Sequence, residues 1–74
     1  ELKVFPNPID EKLFIELKEI SLVKVFNQKG EIIYSIDNFN GKLEVNTHDF
    51  SSGIYTVMIF SKNETSKYRI IKLN

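Results

Sequence analysis

Seventy-four residues with ten basic and ten acidic side chains and no cysteine confine this chain to one small domain, because a second unit could not bury a core of its own. Zero formal charge leaves no global field to draw nucleic acid or an anionic membrane. No apolar run approaches the roughly 20 residues that span a bilayer, so membrane insertion is not expected. With neither cysteines nor a metal-ligand cluster to staple it, the domain is expected to be only marginally stable, by about 3–5 kcal/mol net. The chain opens on Glu1, and its one methionine, Met58, stands inside an apolar run. It is expected to be a fragment of a larger secreted protein whose amino-terminal signal lies elsewhere.

Strand periodicity dominates from front to back. Pro6 and Pro8 close a short opening strand, where a missing backbone donor harms no ladder. In residues 12–18, Leu13, Ile15 and Leu17 share one face, and Lys12, Glu16 and Lys18 share the other with Phe14. Residues 19–21 read as a link to a second strand, 22–26, in which Val23 and Val25 alternate with Lys24. Asn27-Gln28-Lys29-Gly30 reads as a tight turn, Gly30 taking positive φ without cost, and residues 31–36 return antiparallel. Asp37-Asn38-Phe39-Asn40-Gly41 is the richest turn cluster in the chain and is expected to end that return strand.

A short strand over 42–46 carries Leu43 and Val45, and residues 47–52 read as a crossover turn anchored by Phe50. Gly53 opens the most apolar strand, 54–60, whose pattern predicts a central strand covered on both faces. Residues 61–64 turn the chain into a last strand over 65–73. Six or seven short strands and no helical segment predict an all-β domain, a compact immunoglobulin-like antiparallel β-sandwich. A small open barrel shares the same pattern.

Reactive chemistry is not indicated. His48, Asp49, Ser51 and Ser52 cluster in sequence, but adjacent side chains diverge, so Asp49 is badly placed to orient His48 against a serine. No Gly-x-Ser-x-Gly elbow occurs. Turn chemistry is the better account of these residues. Asp37, Asn38, Asn40 and Gly41 lack the order and the distal glutamate of a calcium loop. A lone His48 without a second histidine or cysteine is no zinc site. Asn63-Glu64-Thr65 matches a glycosylation acceptor and reads equally as a hairpin turn. No enzyme activity, cofactor or metal is expected.

Four elements in order give the chain its character: Phe5-Pro6-Asn7-Pro8 with Leu13-Phe14-Ile15; Val23-Lys24-Val25-Phe26 with Gly30 and Ile32-Ile33-Tyr34; Leu43-Glu44-Val45 with Ser52-Gly53-Ile54-Tyr55; and a basic, aliphatic close at Lys67, Arg69, Ile70, Ile71, Lys72 and Leu73. In this order they resemble the type A C-terminal sorting domain of proteins exported by the type IX (Por) secretion system of Bacteroidetes. The resemblance covers essentially the whole chain, 1–74. It departs from the family's usual pattern at Asn27-Gln28-Lys29-Gly30 and at Phe50-Ser51.

The resemblance implies a label for a covalently attached upstream cargo. It implies recognition by an outer-membrane translocon and removal by a sortase-like peptidase, after transit through the periplasm, as the cargo is anchored at the cell surface or released. An edge strand can be read by strand addition, so Lys67, Arg69, Ile70, Ile71, Lys72 and Leu73 are the candidate contacts. Pro6, Asn7, Pro8, Gly30, Gly53 and Tyr55 are expected to hold the fold. The rival reading is a terminal β-sandwich that stabilises, spaces or binds glycan for an adjacent extracellular enzyme. Against it, the chain lacks tryptophan, and at least two of Tyr34, Tyr55 and Tyr68 are expected to be buried.

Overall fold

A computed structural model describes residues 2–73. Five strands make up the fold: β1 (Lys3–Phe5), β2 (Lys12–Phe26), β3 (Ile32–Asn46), β4 (Gly53–Ser61) and β5 (Thr65–Lys72). The all-β, antiparallel expectation holds, but the strand number is five rather than six or seven. Two of the expected breaks lie inside strands.

The first is the link at 19–21, which continues β2. Alternation survives there: Leu17 and Ser21 face inward while Lys18 and Ile20 face out. Ser21 is buried because its hydroxyl donates 2.8 Å to the Glu19 carbonyl oxygen, which removes the penalty of a polar group in the core. The second is the cluster 37–41, which bends β3 without ending it. Asn38 (φ 58) and Gly41 (φ 98) take left-handed conformations, and the β2–β3 register shifts beside them, as irregular ladders do where a strand kinks and twists.

β2 is the shared spine. Its first half lies between β1 and β3, and its second half between β4 and β3, with β5 outside β4. The bend near residues 17–21 lets this one sheet curl, so that the inward faces of its two halves form a small sandwich core. Leu13, Ile15, Val23, Val25 and Val57 are fully enclosed there, with Val45, Tyr55 and Ile70 beside them. Each buried side chain of this size contributes about 1.5–3 kcal/mol.

β4 is covered on one face only: Tyr55, Val57 and Ile59 are buried, whereas Thr56, Met58 and Phe60 are half-buried and Ile54 is exposed. Among the described residues no second layer covers its outer face. Of the tyrosines, Tyr55 alone is buried; Tyr34 and Tyr68 are half-buried at the core margin. Phe50 packs against Tyr55 with ring centroids 5.1 Å apart, the anchoring expected of the crossover. The side chain that caps that crossover is Asn46, which accepts from the His48 amide at 2.9 Å. His48, Asp49, Ser51 and Ser52 are all exposed.

Candidate docking surface

In a strand the backbone groups of successive residues point to opposite sides. β5 pairs with β4 along one side, and on its other side it meets the Pro-Asn-Pro segment. The Ile71 amide donates 3.0 Å to Asn7 Oδ1. Asn7 Nδ2 donates 3.3 Å to the Arg69 carbonyl oxygen, and the Ile9 amide donates 2.7 Å to the Ile71 carbonyl oxygen. Ile9 and Lys72 form a parallel bridge there. Asn7 therefore acts as a side-chain surrogate for a neighbouring strand, with Pro6 and Pro8, which have no amide to leave unpaired, on either side of it. The carboxyl-terminal half of the β5 edge is sealed in this way. Thr65 and Lys67 turn their backbone groups to the open half.

The candidate contact residues divide by face. Lys67, Arg69 and Ile71 project outward and are exposed, and Leu73 beyond the strand is 70% exposed. Ile70 and Lys72 point the other way and are buried. The stem of Lys72 runs along the core, and its ammonium donates to the Asp10 carbonyl oxygen, which also lies 3.4 Å from the Thr47 hydroxyl. That hydrogen bond is what makes a buried ammonium tolerable.

The expected structural residues meet in two places. At the β2–β3 turn the Asn27 carboxamide oxygen accepts from the amides of Lys29 (2.9 Å) and Glu31 (3.0 Å), and Gly30 has φ 84. Gln28 reaches from that turn to the Ser-Gly-Ile-Tyr element, its Oε1 accepting from the Ile54 amide at 3.3 Å. Gly53 has φ 149, and a Cβ there would stand 2.7 Å from Gln28 Oε1. Tyr55 is buried and donates its hydroxyl to the Ser51 carbonyl oxygen. The bonds at these two places are made by Asn27, Gln28 and Tyr55, and Gly30 and Gly53 supply positive-φ backbone beside them.

Sequence reasoning gave Lys24 and Met58 no role on this surface. Register sets Lys24 opposite Met58, and Met58 opposite Lys67, so one row crosses three strands on the same outward face. The signal was present as the alternation of Lys24 with Val23 and Val25, but only the strand order tells which neighbour Lys24 gains. Ile9 was missed for the same reason, since only its place beside β5 gives it a partner.

The chain matches the family described as the secretion system C-terminal sorting domain over residues 3–73. It belongs to that family. The sorting domain also resembles, with a TM-score of 0.83 at 19% identity, a solved structure of PorZ from Porphyromonas gingivalis, itself described as an essential bacterial surface component of the type IX secretion system. The match covers 99% of this chain and 11% of that one, and at this identity it speaks to the fold alone. No curated protein matches the chain.

Proposed function

We propose that this sorting domain is the type IX export signal of a larger protein, read by the outer-membrane translocon and then removed by a sortase-like peptidase as the cargo is anchored or released. The observation that carries this reading is the joining of its two outermost motifs: Asn7 and Ile9 lock the basic terminal strand at Arg69 and Ile71. A recognition signal must keep one shape whatever cargo it is attached to, and this lock fixes the strand from within the domain. The exposed side chains Lys67, Arg69, Ile71 and Leu73 form the docking face. Ile70 and Lys72 act behind it by holding β5 on the core. Removal by a peptidase is supported by the self-contained core, since a cut ahead of β1 leaves that core intact. The domain itself is read as a non-catalytic module that crosses the periplasm in transit.

Fusion of residues 1–74 to an inert periplasmic reporter in a type IX-competent host tests this. Export of the reporter, followed by its recovery at a mass lacking the domain, is the expected result. Periplasmic retention would overturn it, and retention accompanied by glycan binding would favour an accessory module instead.

A further inference from the structure

The two outer faces of the curled sheet carry charge differently. On the half built around β1, cross-strand register gives the rows Lys3–Glu16–Lys42 and Phe5–Phe14–Glu44, and Lys12 forms an ion pair with Glu44 at 2.9 Å. Every cation in those rows has an acid beside it. On the half built around β4, the rows read Ile54–Ile71, Phe26–Thr56–Arg69, Ser35–Lys24–Met58–Lys67 and Leu22–Phe60–Thr65. Three cations stand in these rows with no aspartate or glutamate among them, Asp37 following on β3 two residues beyond Ser35. Among the described residues, Lys12–Glu44 is the ion pair formed, and Lys24, Lys67 and Arg69 take part in none. This holds in a chain whose ten acids equal its ten bases.

Apolar surface surrounds these cations. Ile54 and Ile71, cross-strand neighbours, are 41% and 40% exposed, and Met58 and Phe60 are half-buried. Beside them a shallow hollow of about 220 Å³ is lined by Arg69, Thr56, Ile54, Asn27 and Gln28. Like charges without ion-pair partners, held on one sheet face, disfavour the free domain slightly and favour a partner that brings carboxylates. Exposed aliphatic side chains at the same place add contact area on desolvation.

We infer that the outward face of β2, β4 and β5, with Lys24, Lys67 and Arg69 set around Met58, is the docking face for an acidic protein surface that places a carboxylate in the hollow beside Arg69. This rests on the proposed export role and deepens it: recognition is by a face, with Lys24 contributing from a strand more than forty residues ahead of the terminal one.

The reporter fusion decides the matter. Lys24→Glu is expected to lower export about ten-fold and to leave thermal stability equal or higher, because it relieves repulsion across Met58. Lys24→Gln moves export the same way by a smaller step, and Lys42→Glu on the balanced face leaves export unchanged. A residue with a merely structural role cannot give that split between stability and export. Normal export of Lys24→Glu and Lys24→Gln overturns the inference while leaving the export role standing. Equal losses from Lys24→Glu and Lys42→Glu overturn it as well, since the effect is then one of net charge. Retention of the unaltered fusion overturns both.

Discussion

Ile71 donates its amide hydrogen to the side chain of Asn7, 64 positions away, across 3.0 Å. The same carboxamide holds the Arg69 carbonyl oxygen, so one side chain satisfies two backbone groups of a strand edge. Asn7→Ala is expected to cost about 1–2 kcal/mol, the ordinary worth of two such bonds at a surface. Amide exchange should accelerate chiefly at Ile71. Asn7→Asp retains the acceptor for Ile71 and loses the donor to Arg69, so it should fall between the two. Unchanged protection of Ile71 in Asn7→Ala would remove the edge lock.

The glycines separate two causes of strain. Gly30 has φ 84 with nothing near a would-be Cβ, whereas Gly53 adds to φ 149 a 2.7 Å approach to Gln28. Gly30→Ala is therefore expected to cost about 1 kcal/mol from backbone conformation alone. Gly53→Ala also carries backbone strain, and displacing the end of Gln28 adds at most the loss of its bond to the Ile54 amide, so Gln28→Ala on top of it should cost little further. A double-mutant cycle on urea midpoints measures this coupling, and additivity would show that the close approach has no energetic weight.

Lys72 distinguishes packing from recognition. Lys72→Met keeps the buried stem and loses the bond to Asp10, and is expected to cost about 1 kcal/mol. Lys72→Ala also empties core volume, for about 2–4 kcal/mol. Export of the Lys72→Met fusion should remain normal, since this ammonium faces inward. A large export defect in a stably folded Lys72→Met domain would return Lys72 to the docking face.

Tyr55→Phe removes the bond to the Ser51 carbonyl while retaining the contact with Phe50. A loss of about 1 kcal/mol is expected. Phe50→Ala, which opens the same corner to water, should cost more in the same chemical unfolding measurement. The reverse order would mean that the hydroxyl, and not the ring pair, holds the crossover.

Much of the fold was legible because inward positions alternate: Leu13, Ile15 and Leu17, then Val23 and Val25, are buried as their spacing requires. The strand count was not. Ser21 interrupts the apolar series, yet it keeps inward parity and bonds locally to Glu19. Asp37 through Gly41 carry every mark of a turn, yet β2 runs alongside and supplies a ladder that local propensity cannot anticipate. The docking face divides similarly. Basic and aliphatic alternation marked Lys67 to Leu73, but whether Lys72 faced core or solvent depended on Asp10 and Thr47, which come from other parts of the chain. Lys24 joins the face only through the strand order.

The bridge between Ile9 and Lys72 has a temporal side. Nearly all of the domain must be made before Ile70 can close the core and Ile9 can find its mate, so this bridge is a late, long-range closure laid over hairpins formed between consecutive strands. A chain stopped before residues 70–72 would lack Ile70 in the core, the Ile71 amide that Asn7 holds and the strand partner of Ile9, so its last edge would have nothing to close it.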